Sequence, residues 1–391
     1  MTAAELHDDP EELERLRAEW DALAVACARP GSSASLLIAW WRNLPPATAS
    51  LRVVSVRRDG RLVGLAPLFL DRGRLGVPAL RFLGTPYMPQ RHAILAAPGE
   101  EREVVRAVGA ALAASRPRPV SLGLERIDAA ATWPSALAGS WPAPLGAALA
   151  CEFSVSAPVL TMNGGGFDDW LAGKSSNFRK EVRRTRRKLE ARGARVHRVR
   201  DAAALERALA AFARLHGAHW GDRSKLWRPR TIGMLREAGE TMVPDGRMRV
   251  YTVEADGEAI AVELLFAAGG EVASWNTAWD PAWADERPSM GALYQAIEDC
   301  FEGGDRRLDL GEGKQPYKLR LADDDEPVSW MTLIPRGAAF PLAQAVAAPR
   351  RIHRAARTLV RRLPPPARQR IMAARKMLRG SGPRGPSGAN G

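Results

Sequence analysis

The sequence predicts a mixed α/β chain in which one module occurs twice, followed by a basic helical appendage. Three observations carry that prediction. Residues 51–70 and 248–267 align without a gap over 20 positions, seven of them identical. Each segment is a β-branched run, an Asp-Gly pair and a second apolar run, the pattern of a hairpin whose tight turn needs positive φ angles. Each hairpin also follows two helical patterns and precedes a strand, a helix and a further strand, so the order repeats as well as the motif.

In the first half, LERLRAEWDALA (13–24) has apolar residues at helical spacing around Trp20, and a second short helix is expected over 34–43. The hairpin shares Arg52, Val53, Val56, Asp59, Gly60, Leu68 and Phe69 with Arg249, Val250, Val253, Asp256, Gly257, Leu265 and Phe266. A helix over 101–115 and a strand over 119–125 complete the half. NGGGFDD then interrupts the pattern, which places a boundary near 160–175. The expected division is 1–165, 166–338 and a tail at 339–391. The second half opens with a basic helix over 174–193 and a strand over 194–200. LERALAAFARLH (205–216) follows, with Phe212 where the first half has Trp20. A helix over 229–239, the second hairpin, a strand over 271–278, a helix over 289–303 and strands over 306–310 and 327–335 finish it.

Charge is unevenly spread along the 391 residues. The net +13 arises from residues 174–200, at net +10, and residues 350–391, at net +12, with the remainder at net −9. Two basic elements on an acidic body do not make the whole chain a nucleic-acid binder, and no specific DNA binding is expected. The tail reads as two short basic helices around PPP (364–366) and a Gly/Pro/Ser end, either solvated or in contact with a membrane surface or polyanion. Cys27, Cys151 and Cys300 are too far apart for a zinc site and odd in number, which fits a reducing compartment. With no basic-then-apolar start and no apolar run near the roughly 20 residues of a membrane span, the expected location is the cytoplasm, with peripheral contact at the inner membrane face through the tail. His216 and His219 lack a third ligand at matching spacing, so no metal is expected.

Two residue-level features stand out from the background. Glu263 interrupts the apolar run AIAVELLFA, where a carboxylate must be paired or face a cleft, and it reads as a general base or as a paired structural group. The helix over 174–193 carries Phe178, Val182 and Leu189 on one narrow stripe, with Arg and Lys elsewhere. Its arginines are either a solvated face or, at Arg179, Arg183 and Arg184, contacts to an anionic acceptor.

The order of elements, together with four segments, resembles the GNAT acyltransferase superfamily, in the branch of the Fem-type aminoacyltransferases and the cellulose-biosynthesis (CelD-like) acetyltransferases. The segments are SSNFRKEVRRTRRKLEARG (175–193), LHGAHW (215–220), WDPAWADERPSMGALYQAIEDCFEGG (279–304) and LDLGEGKQPYKLR (308–320). The first half fits more loosely, through AEWDALA, DGRLVGLAPLFL and FLGTPY. The resemblance implies tandem GNAT-like domains, each a mixed central sheet flanked by helices, the first half serving the acceptor and the second the acyl donor.

It implies acetyl-CoA or another acyl-CoA as co-substrate, lying between splayed strands at 271–278 and 306–310, with its pyrophosphate on the next helix N-terminus. Arg287 would meet phosphate, Ser289 would cap the helix, Gly291 would allow close approach, and Met290 and Ala292 would complete the contact. The superfamily's usual signature has Arg or Gln three residues before a glycine, whereas Arg287 stands four before Gly291. Tyr317 would donate a proton to the departing thiolate, and Asp309 or Glu312 would position or deprotonate the amine. Lys314, Lys318 and His216 would bind an acceptor with an anionic handle, such as an amino sugar or an envelope or exopolysaccharide precursor. The competing readings are aminoacyl transfer from charged tRNA and a non-catalytic polyanion or membrane-surface binder.

Overall fold

In the computed structural model, residues 2–345 are described apart from 73–75, 89–90, 143–145 and 163. Both Asp-Gly pairs form the expected turns. Asp59 and Gly60 have φ of 49° and 83°, and Asp256 and Gly257 have 52° and 78°, the two positive angles that match the right-handed twist of a hairpin.

The first half runs β1 (Thr2–His7), α1 (Pro10–Ala26), α2 (Ala34–Asn43), β2 (Ala49–Leu51), β3 (Val53–Arg58), β4 (Arg61–Ala66), β5 (Leu68–Asp71), β6 (Ala79–Phe82), β7 (Leu95–Ala96), α3 (Glu101–Ala114), β8 (Ser121–Asp128), α4 (Trp133–Gly139) and β9 (Ala147–Val155). The chain continues through β10 (Pro158–Thr161), α5 (Phe167–Gly173), α6 (Ser176–Ala191), β11 (Arg195–Arg198), α7 (Ala202–Trp220), α8 (Pro229–Met242), β12 (Met248–Ala255), β13 (Glu258–Ala268), β14 (Glu271–Trp279), α9 (Pro288–Glu302), β15 (Arg307–Asp309), α10 (Pro316–Leu321), β16 (Asp324–Asp325) and β17 (Val328–Pro335). The tandem order read from the sequence is therefore the order of the structure.

Local chemistry explains the helix starts. Asp9 accepts a hydrogen bond from the Glu11 amide ahead of α1, Ser175 from Phe178 ahead of α6, and Asp201 from Ala204 ahead of α7, each satisfying a donor the helix leaves free. Burial follows the apolar period: Leu13, Leu16, Trp20 and Leu23 on α1, and Leu205, Leu209, Phe212 and Leu215 on α7.

The second half has one sheet of seven strands, in the order β11-β12-β13-β14-β15-β10-β16. In the first half the corresponding hairpin strand breaks at Pro67, which cannot donate to a ladder. β4 therefore joins a four-stranded sheet with β1, β3 and β7, while β5 joins a six-stranded one ordered β2-β5-β6-β8-β17-β9. Two strands cross between halves. β10, allotted by sequence to 1–165, pairs with β15, and β17, allotted to 166–338, pairs between β8 and β9. The described residues as far as Gly337 form one compact unit. The expected tail helices around 364–366 lie outside the described residues.

One of the hydrophobic cores runs through both halves, with Trp20, Trp40 and Phe69 sharing it with Phe212, Leu235 and Phe266, while each half also has a core of its own. The paired helices α2 and α8 lie within the shared one. Arg42 and Asn43 at the end of α2 each reach Glu237 on α8 at 2.8 Å.

Candidate active site

β14 and β15 run parallel but pair over three positions only: Glu271 with Arg307, Val272 with Leu308 and Ala273 with Asp309. Beyond Ala273 they separate. A bulge at Trp275 shifts the register of β14 against β13 between Leu264 and Leu265, and such an extra residue bends its strand. The chain leaving β15 stays with the other side, the Leu310 amide bonding the Pro158 carbonyl at 3.1 Å and the Gly313 amide that of Ser156 at 2.8 Å. Gly311 and Gly313, at φ of 77° and 101°, make the turn that carries it away.

A cavity of about 650 Å³ fills the opening. Its walls are the free run of β14, the first turn of α9, the turn after β15 with α10, and the end of α7. Glu263 and Tyr317 both line it. Glu263 is only 3% exposed. Its carboxylate accepts a hydrogen bond from the Ser274 hydroxyl at 2.8 Å and lies opposite Thr277 in the β13–β14 register. Burial outweighs these contacts and pushes the carboxyl up to about 7. Burial, with Glu263 nearby, pushes the Tyr317 phenol up to about 12. One group thus takes a proton near neutrality, and the other keeps its own.

Lys318, His216 and Glu312 also face the cavity. Lys318 donates to the Glu312 carbonyl at 2.9 Å, and burial lowers its ammonium against the pull of Asp309 and Glu312. His216 stacks between Phe212 and Trp220 and shares a 2.9 Å hydrogen bond with the Ser224 hydroxyl. Burial and His219 lower its imidazole to about 4, so the ring is neutral at pH 7. The Glu312 carboxylate is paired with Arg126.

Of the other expected residues, only Ser289 and Met290 also line the cavity. Asp309 accepts from Arg91 Nε at 2.7 Å and from the Gly311 amide at 2.8 Å, outside the cavity lining. It is therefore a neutralised group at the root of the opening and no free base. At α9, Ser289 and Met290 line the cavity, but Ser289 caps nothing, because the N-cap is Arg287 in a left-handed conformation with no side-chain cap bond. The Arg287 guanidinium is taken by Glu181 of α6. Gly291 faces Leu189 of α6, whose Cδ1 lies 2.4 Å from where a Cβ would stand, and Ala292 is fully buried. Both serve helix packing. Arg179 donates to the carbonyls of Ala172 and Lys174. Arg183 is exposed on α6, and Lys314 is exposed 3.9 Å from Asp325.

Two residues of the first half escaped the sequence reading: Arg126, in the cavity wall, and Arg91, which neutralises Asp309. Neither carries a local signal. Ser274 and Thr277 did carry one, as polar residues inside the strand EVASWNTAW. Among the described residues no cluster of His, Cys, Asp or Glu is arranged to hold a metal, and no helix is long and apolar enough to cross a membrane.

Residues 176–319 match the family model of the acetyltransferase (GNAT) domain. No curated protein matches the chain in sequence. Among solved structures the chain is similar to FemX, at 13% identity and a TM-score of 0.60, over 88% of this chain and 99% of that one. It is also similar to the C-terminal domain of an assigned lysylphosphatidylglycerol synthetase from Agrobacterium fabrum, at 13% identity and a TM-score of 0.51, over 87% and 97%. These identities speak for the fold alone. The match over 176–319 thus places an acetyltransferase (GNAT) domain in the second half, and the repeated module and the opened strand pair lie in a fold similar to that of FemX.

Proposed function

We propose that the protein is an N-acyltransferase that uses an acyl-CoA, acetyl-CoA foremost, to acylate an amine of an envelope or exopolysaccharide precursor or a related small molecule. The observation that carries this reading is the cavity between β14 and β15, which has both Glu263 and Tyr317 in its lining. The opening suits an extended donor arm, and α9 turns the positive end of its dipole, with Ser289 and Met290 in the wall, toward the donor's phosphates, the Met290 and Gly291 amides already donating to the Arg287 carbonyl at 3.0 and 3.2 Å. In the reaction the amine attacks the thioester carbonyl, the C–N bond forms, and the C–S bond breaks. Glu263 accepts the proton the amine loses, and Tyr317 protonates the leaving thiolate. His216, neutral and packed, shapes the acceptor end. Positioning and electrostatic preorganisation supply the remainder of the rate. We assign donor binding to the second half and acceptor binding to the first, with β10 and β17 exchanged between them.

The test is a mass-spectrometric search for CoA-dependent acylation across an amine library, comparing wild type with Tyr317→Phe. We expect product with wild type and a 10²–10⁴-fold lower turnover in the variant, the range for a lost proton donor. Equal turnover removes Tyr317 from the reaction; no acylation at all removes the transferase reading.

One observation favours a second reading, transfer from an aminoacyl-tRNA. Lys180, Arg183, Arg184 and Arg187 are all exposed on the side of α6 opposite Phe178, Val182 and Leu189. Salt-sensitive RNA retention without stabilisation by acetyl-CoA supports it; stabilisation by about 2.7 kcal/mol at a hundredfold excess over Kd supports the acyl-CoA reading. A membrane or polyanion role for 350–391 is tested by deleting 340–391 and measuring vesicle binding.

A further inference from the structure

Arg126 is the one described residue of the first half that lines the cavity. Several features of the backbone converge on its position. It sits at φ 56°, in a region that non-glycine residues rarely occupy without a functional or structural reason. The register of β8 against β17 slips at the same place: Ser329 pairs with Ile127 but Met331 with Leu124. β8 therefore carries an extra residue there, and a bulge of this kind re-aims a side chain. The bulge is pinned from behind by His92, whose amide donates to the Arg126 carbonyl at 3.2 Å and whose Nδ1 lies 3.0 Å from the Glu125 carbonyl oxygen.

The guanidinium is held as firmly as the backbone. It lies over the Trp330 ring at 5.4 Å, and Trp330 stacks on Phe153 at 4.5 Å. Its Nε donates to the Glu312 carboxylate. No described residue accepts from its two terminal amino groups, so that edge of the fork is left for a ligand. The other cations of the wall are differently disposed. Lys318 is tied to the Glu312 carbonyl, and Arg223 donates to the Trp220 and His219 carbonyls at the end of α7.

We propose that Arg126 reads an oxyanion on the acceptor, so that the substrate class is amines carrying a carboxylate or a phosphate. A planar guanidinium whose Nε edge is fixed by Glu312 presents its remaining donors in the geometry that binds either group in a bidentate way. Glu312 acts as the positioning residue, orienting the fork without touching the substrate. The anion docks on the first half while the amine reaches Glu263 in the second.

This inference rests on the transferase reading, and the experiment separates the two. Wild type, Arg126→Gln and Arg126→Lys are each given acetyl-CoA with a library of amines that includes matched pairs: 4-aminobutyrate with butylamine, and glucosamine 6-phosphate with glucosamine. We expect wild type to prefer the charged member at least tenfold in kcat/KM, mainly through KM. Arg126→Gln should bring that ratio to within about threefold of unity, and Arg126→Lys should restore part of it for phosphate but little for carboxylate. The pair with the larger ratio tells which oxyanion the site takes. Acylation with no preference for charged amines overturns the inference and leaves the transferase reading standing, as does a fall of both members alike in Arg126→Gln, the mark of a mere strut. Absence of acylation across the library overturns both.

Discussion

Glu263 is where the chemistry concentrates at the residue scale. Its carboxyl is held near 7 by burial, against an ordinary value of 4.5. The rising limb of kcat/KM against pH should therefore be half complete near pH 7 and vanish in Glu263→Gln, with a 10²–10⁴-fold loss in rate at pH 8. The same group gives a stability signature. Below pH 4.5 it is protonated whether folded or unfolded and contributes nothing. Between 4.5 and 7 the folded state holds the extra proton, so stability falls as pH rises; above 7 the full penalty is present, on the order of 3 kcal/mol. Denaturant titration should find Glu263→Gln close to wild type at pH 4.5 and more stable at pH 8. A variant that is less stable at pH 8 removes the buried-carboxyl account. Glu263 was legible because a charge inside an apolar strand is anomalous wherever the strand ends up. Asp309 misled for the converse reason: the residue that neutralises it, Arg91, is 218 positions away in sequence.

Among elements, α6 and α9 show how packing took over a position first read as a ligand contact. Leu189 of α6 occupies the space above Gly291, and Arg287 at the start of α9 is paired with Glu181 of α6. Gly291→Ala should push Leu189 aside and destabilise the protein by about 1–3 kcal/mol, the range for overpacking a core, measured as a lower denaturation midpoint. A donor-contact role predicts unchanged stability with a raised KM for acetyl-CoA. The hairpins and helix starts were readable because their causes are local: an Asp-Gly pair, a capping side chain, a period of apolar residues. A glycine at a helix start has two local explanations, a ligand and a neighbour, and only the neighbour's position separates them.

For the whole molecule the decisive feature is the reciprocal exchange of β10 and β17, reinforced by ions across the seam. Arg91 is 7% exposed and bonds Asp309 and Asp128 as well as the Glu326 carbonyl at 2.9 Å. Removing it leaves the buried Asp309 carboxylate without its cation, while Asp128 keeps Arg29 at 2.9 Å, so Arg91→Ala should destabilise by about 3–5 kcal/mol, with both halves unfolding in one calorimetric transition because they share a core. Asp309→Asn added to Arg91→Ala should recover part of the loss. A second, separate transition in wild type would show that the halves fold independently.

The sequence by itself determined the doubled module, the order of its elements, and Glu263 and Tyr317 as reactive candidates, since each follows from turn chemistry, apolar periodicity, an anomalous charge or a family motif within a few residues. The tertiary structure alone decided which strands changed sheets, that Asp309 is silenced by Arg91, that Gly291 belongs to a helix contact, and that Arg126 enters the cavity. Those outcomes depend on partners more than a hundred residues apart, and strand pairing and ion pairing over such distances are settled by the packing of the shared core, for which a local stretch of sequence holds no record.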